Sequence, residues 1–297
     1  MPEVKQNEDT ALGPRLRRHI EHLAGELGER SVRRPKALEA AAVYIADQWR
    51  DQGHDVGIQK YETYGTDCEN VEVTIVGRER PDEIVLVGAH YDTVAGSPGA
   101  DDNASGVAGL LEIGRALFGI EARRTLRLVA FVNEEMPFFF FGEMGSKVYA
   151  RAARRRGDDI RLMLSLEMLG YYSDMTGSQS YPPLMRFFYP DRGDFIGFVS
   201  DLRSRRELKQ AVAAFRQASD FPVQSASLPG FVPGVAWSDH LSFWREGYRA
   251  LMVTDTAFHR NPYYHTALDV PGTLSYTALS RVVAGLAGAL KILISGK

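Results

Sequence analysis

Apolar residues first recur at helical spacing. Leu16, Ile20, Leu23 and Leu27 share one face, and residues 35–52 repeat the period, with Gly28 and Gly53 placed as stops. The pattern then shortens to extended runs at 56–60, 70–76 and 83–88. Ile84-Val85-Leu86-Val87 has no polar interruption, as expected of a strand covered on both faces. A Gly/Pro-rich loop, 95–100, leads into a predicted helix at 105–117. A buried strand at 125–132, a helix at 144–155 and a strand at 162–166 follow. Residues 171–194 read as loop, 204–218 as helix, 249–254 as a late strand and 275–294 as a closing helix. Strands that alternate with helices predict an α/β fold of three layers, a mostly parallel central sheet flanked by helices. No linker or repeat divides the chain, so residues 1–297 are expected to form a single domain.

Composition narrows the partners. The chain is 44% hydrophobic and 25% charged, with formal charge -3, so nothing in the bulk charge calls for nucleic acid or an anionic membrane. Neither is expected as a partner, and the oligomeric state is left open. The single cysteine, Cys68, excludes an internal disulfide and fits a reducing compartment. Residues 1–12 are polar, without a signal-peptide stretch, and a cytoplasmic location is expected. The apolar run at 279–294 carries Ser280, Arg281 and Lys291 and is short for a bilayer crossing, so it is expected to dock on the domain.

Ligands of such sheets bind beyond the carboxyl ends of the strands. The acids and histidines that suit a metal fall there. Gly88-Ala89-His90-Tyr91-Asp92 ends one strand, and Asp101-Asp102-Asn103-Ala104-Ser105-Gly106 opens the next helix. Asn133-Glu134-Glu135, Ser165-Leu166-Glu167-Met168 and Asn261-Pro262-Tyr263-Tyr264-His265 follow later strands. Imidazole and carboxylate donors suit zinc, and two zinc ions about 3.5–4 Å apart need a bridging carboxylate to screen their repulsion.

These motifs resemble those of the co-catalytic di-zinc aminopeptidases, metallopeptidase family twenty-eight, over about residues 15–274. The resemblance implies the zinc-exopeptidase fold and a hydrolase that removes N-terminal residues, with peptides bearing a free N-terminus as substrates. It implies that His90 and Glu167 bind one zinc, His265 and Glu135 the other, and that Asp102 bridges both. It makes Glu134 the general base, Asp92 the acid that holds the His90 imidazole, and Tyr264 a donor to the developing oxyanion. It also implies a cis peptide bond between Asp102 and Asn103. Two features depart from the family's pattern. Position 167 is Glu where many relatives have Asp, and Phe138–Phe141 replaces a shorter glycine-containing turn.

Other readings stand beside these. Asp101 and Asp102 are also fit to cap a helix, and Glu134 and Glu135 to be a solvated strand end. His240 fits a ligand, or with Asp239 an outer or substrate-side role. His19, His22, His54 and His259 read as surface or structural, and Cys68 as no nucleophile. About half of the phenylalanine run is expected to line the cleft. A carboxypeptidase or glutaminyl cyclase would keep the same fold, and a catalytically inactive binding protein is the rival of a different class.

Overall fold

β3 (Arg80–His90) and β4 (Arg124–Phe131) form the middle of the sheet because their apolar runs leave no polar side to solvate: Val85, Leu86, Val87, Leu126, Leu128 and Val129 are all buried. The computed structural model describes residues 3–182 and 185–296, with side chains from residue 12 onward except that of residue 140. In chain order come α1 (Glu3–Ile20), which runs on through a wider turn to Leu27, then α2 (Pro35–Asp51), β1 (Val56–Thr63) and β2 (Thr66–Ile75). After β3, a kinked turn (Ala100–Ser105) opens α3 (Gly106–Leu117). β4, α4 (Phe138–Phe141), α5 (Gly145–Arg156), β5 (Asp159–Glu167), β6 (Ile196–Ser200) and α6 (Arg205–Ala218) follow. The chain closes with β7 (Val223–Ser227), α7 (His240–Arg245), β8 (Ala250–Thr254) and α8 (Tyr276–Ser295).

The strands form one eight-stranded sheet in the order β1-β2-β4-β3-β5-β8-β6-β7. Its centre, β4, β3, β5 and β8, is parallel throughout, so four carboxyl ends open on the same edge. β6 and β7 are parallel to each other, while β1, β2 and the β6–β8 pairing are antiparallel. The register sets Gly88 opposite Val129 and Ser165, and a Cβ on Gly88 would meet the Phe131 ring at 2.3 Å. Only glycine lets that ring cross the strand.

Each face of the sheet has its own core. One packs Val85, Val87, Leu126 and Leu128 under α1, α2, α3, α6 and α8. The other packs Leu86, Val129, Phe131 and Met163 against Tyr149 of α5 and Phe243 of α7. This is the three-layer α/β arrangement that the alternation predicts. By length and composition α8 could cross a membrane, but here its Leu279, Val282, Val283, Leu286 and Leu290 are buried against α1, α3 and α6.

Three elements escape the periodicity. β6 and β7 are five residues each and mix apolar with small polar positions, and α7 is a single short helix after Asp239. The phenylalanine run takes a local form that its apolar character alone does not reveal. After a cis Met136-Pro137 bond, Phe138–Phe141 turns as a short helix. The Phe138 ring packs tilted against the Tyr64 ring with centroids 5.6 Å apart, and the Tyr64 hydroxyl donates to Phe141 O at 2.9 Å. The turn therefore leans on the β1–β2 hairpin, and none of its described side chains lines the apolar cavity beside the site. The side chain of Phe140 lies outside the described residues.

Candidate metal centre and substrate cavity

His90 is the last residue of β3, Glu134 and Glu135 follow the end of β4, and Glu167 is the last residue of β5. Asp102 sits in the kinked turn before α3, and Tyr264 and His265 lie in the loop after β8. The parallel register of the central strands brings all of these to one edge. Several backbones there take unusual forms. The Asp102–Asn103 bond is cis, and Asn133, Met168 and His265 have φ of 59, 54 and 59. Non-glycine residues held at positive φ cluster at sites where the surroundings fix a required geometry.

The two oxygens of Asp102 face different histidines: Oδ1 lies 3.3 Å from His90 Nε2, and Oδ2 lies 3.2 Å from His265 Nε2. Glu167 Oε1 completes the first cluster at 3.5 Å from His90 Nε2, and Glu135 Oε1 the second at 3.2 Å from His265 Nε2. In each cluster the donor atoms lie within 4.8 Å of one another. The clusters divide these five residues along the same line as the sequence resemblance does.

Residues behind the donors hold them. Asp92 accepts the backbone N–H of Glu134 at 3.0 Å and of Glu135 at 3.1 Å, with its Oδ1 3.5 Å from His90 Nδ1. Asp269 accepts the N–H groups of Asp101 and Asp102 at 2.9 and 3.0 Å. Asn103 donates to Leu166 O and accepts from Met168 N, tying the turn to the end of β5. The Ser238 hydroxyl donates to Glu167 Oε2 at 2.6 Å. Asp101 binds Gly170 N and Asn261 Nδ2 and reaches neither cluster.

The acids are crowded and buried. Burial, with the charges of Glu167, Glu135 and Asp239, pushes Glu134 well up. Burial and Asp102 push Glu135 up to about 7, and burial pushes Asp239 to about 7. Burial opposes a charge on either histidine. Even so, His90 is raised by Glu167, Asp102 and Asp92, and His265 is raised to about 10 by Asp102 and Glu135. Glu135 Oε1 is buried without an aligned hydrogen bond. An orphaned carboxylate oxygen and a set of two imidazoles and three carboxylates fit zinc well. His240 belongs to neither cluster: it is buried, binds Val235 O at 2.8 Å and stays neutral, with its pKa lowered to about 4 by burial.

Beside Glu167 and Tyr264 opens an apolar cavity of about 120 Å³. Tyr181, Met185, Tyr189 and Ala226 line it together with the buried Phe198 and the partly exposed Trp237 and Phe258. Tyr264 stacks on His265 with ring centroids 3.8 Å apart and lies 5.8 Å from the Phe258 ring, linking cavity to donors. Sequence reading missed this cavity and took His259 as surface or structural; it is one of the residues that line the cavity. The available signal was the pair Tyr181 and Tyr189 in a stretch otherwise read as loop.

Residues 70–290 match the sequence profile of Peptidase family M28. The chain is 39% identical over 280 residues to the uncharacterized protein YfbL of Escherichia coli (strain K12), covering 91% of this chain and 85% of that one. It is 27% identical over 271 residues to a probable leucine aminopeptidase of Arthroderma otae, covering 84% of this chain and 65% of that protein. Among solved structures, it shares the fold of BSAP, a zinc aminopeptidase from Bacillus subtilis, with TM-score 0.71, 16% identity and 94% of each chain covered. A glutaminyl cyclase of Bacteroides thetaiotaomicron has the same fold, with TM-score 0.68, 18% identity, and 96% of this chain and 98% of that one covered. With the profile spanning residues 70–290 and a relative 39% identical over 91% of the chain beside it, the chain belongs to peptidase family M28.

Proposed function

We propose that the protein is an aminopeptidase that hydrolyses the N-terminal bond of peptides with two zinc ions. His90 and Glu167 would hold one, His265 and Glu135 the other, and Asp102 both. The observation that carries this reading is the shared carboxylate, whose two oxygens point to two separate His–Glu pairs. The probable leucine aminopeptidase among its relatives supports the N-terminal bond as the target. When bound, such a metal pair acidifies a water and polarises the scissile carbonyl.

The chain's own groups supply the rest. Glu134, buried beside both clusters but a member of neither, takes the proton from the attacking water and passes it to the leaving amine nitrogen. Asp92, by accepting the N–H of Glu134, fixes the height of that carboxylate, and the same acid faces the outer nitrogen of His90. The Tyr264 hydroxyl, its pKa driven up by burial and by Asp102, stays protonated and donates to the oxyanion. The apolar cavity receives the side chain of the N-terminal residue, which favours large apolar residues over charged ones.

The test pairs kinetics on aminoacyl anilides with metal analysis of two variants. Glu134→Gln keeps shape, so it should retain zinc and lose about 10²–10⁴-fold in turnover. Glu135→Gln removes a donor, so zinc loss should accompany its loss of activity. Chelator should abolish wild-type turnover, and N-blocked peptides should resist it. Cyclisation of N-terminal glutamine without amide cleavage would show the cyclase reading instead. A zinc-loaded wild type without turnover on either substrate would support the inactive binding protein.

A further inference from the structure

Arg30 lies outside the stretch that matches the family profile, in a polar run, yet no part of it is exposed. It is the one arginine among the described residues with 0% exposure. Its guanidinium hydrogen-bonds no carboxylate there and donates only to backbone carbonyls. Nε reaches Tyr91 O at 2.8 Å; Nη1 reaches Leu23 O, Gly28 O and Pro98 O at 2.8, 2.8 and 2.7 Å; Nη2 reaches Gly99 O at 3.0 Å. Tyr91 stands between His90 and Asp92, and Gly99 opens the turn that carries Asp102. Gly99 has φ of 63, and a Cβ on it would meet Asp102 O at 2.2 Å, so the turn has no slack of its own.

The backbone of Arg30 is fastened to the same loop. Its N–H donates to Thr93 Oγ1 at 3.0 Å, and its carbonyl accepts Thr93 N at 3.0 Å. Asp269 grips the turn from the other side. Burial works against the charge on Arg30, but Asp92, Asp269 and Asp102 sustain it. A buried cation thus lies behind a centre rich in carboxylates.

We propose that Arg30 is a positioning residue for the metal centre. By holding Tyr91 O and Gly99 O in one planar fork, it fixes the separation between the strand end bearing His90 and the turn bearing Asp102. This rests on the reading that those residues bind zinc. Lysine keeps the charge but cannot present a rigid fork of donors, so charge and geometry can be separated by substitution.

The experiment measures the zinc dissociation constant by competition with a chromophoric chelator, together with the thermal midpoint of the metal-free chain. Arg30→Lys should weaken zinc binding by roughly 10–100-fold, the usual effect of losing a group that orients a ligand. Its KM for a leucine anilide should stay near the wild-type value, and excess zinc should restore much of kcat. Glu29→Gln is the comparison. Glu29 accepts Gly96 N and the Ser31 hydroxyl in the same segment but touches neither ligand-bearing backbone, so its loss should lower the midpoint and leave zinc affinity intact. If Arg30→Lys does not fold, Thr93→Val, which keeps the shape and loses the Arg30 N–H acceptor, should still weaken zinc. Folded Arg30→Lys with wild-type zinc affinity overturns the proposal, as does unchanged affinity in Thr93→Val where Arg30→Lys cannot be measured. A wild-type chain that binds no zinc overturns it together with the metal reading.

Discussion

Asp92→Asn tests how far the outer acids govern the centre. In the native site each Asp92 oxygen accepts one buried N–H, from Glu134 and from Glu135, and Oδ1 also faces His90 Nδ1. Asparagine keeps one acceptor and turns an NH₂ toward the other N–H. A hydrogen bond to a charged acceptor contributes about 1.5–3 kcal/mol, and the deserted N–H costs about 1–3 kcal/mol. Part of that total is absorbed by relaxation of the loop after β4. The remainder, about 3 kcal/mol, corresponds to roughly a hundredfold at ~1.4 kcal/mol per decade. It should appear as a loss of zinc affinity of about 10–100-fold and a fall in kcat as Glu134 loses its seat. The assay is chelator competition for zinc, with leucine anilide kinetics at saturating metal. A variant with wild-type zinc affinity and kcat would refute the reasoning, because it would mean the two N–H groups find other acceptors.

Further outcomes follow from other parts of the molecule. Ala226→Trp should fill the cavity and lower kcat/KM for leucine or phenylalanine anilides by about tenfold or more relative to alanine anilide, as measured across a substrate panel. Leu110→Ala on α3, at 0% exposure, should cost about 2–5 kcal/mol in denaturant unfolding of the metal-free chain. Glu112 is pushed up by burial, but hydrogen bonds from His19 and Arg15 outweigh this and lower its pKa. A lowered folded value means stability present above the ordinary carboxylate range and lost as pH falls through the folded value. Urea midpoints of wild type should therefore drop more steeply in acid than those of Glu112→Gln, and the two curves should converge at low pH.

The sequence made the central strands legible because a strand buried on both faces needs an unbroken apolar run, as at Ile84–Val87. The donors were legible because each stands at a strand end or in the loop or helix entry beyond it. β6 and β7 were not, since at five residues with Gly197, Ser200, Gln224 and Ser225 they carry no period. The cavity was hidden for a related reason. Its walls come from segments far apart in the chain, such as Tyr181, Ala226 and Trp237, and only the folded loops bring them together. Nothing local in the sequence shows that five carbonyls surround Arg30. The phenylalanine run's apolar character likewise says nothing of whether a given ring turns toward the cleft or toward the β1–β2 hairpin, where Phe138 lies.

The division of labour between strand ends and loops has a consequence for how such a chain can change over generations. The donors are pinned by hydrogen bonds among strand ends and tight turns, where substitution is costly. Much of the cavity wall is borne by residues 179–182, 185–189 and 232–237, none of which carries a donor atom of either cluster among the described residues. Under the proposed function, insertions and replacements there would alter which side chain is admitted without moving the reacting groups. Taste and chemistry can then drift independently, and grafting those two stretches between relatives is a rational route to new selectivity on an unchanged centre.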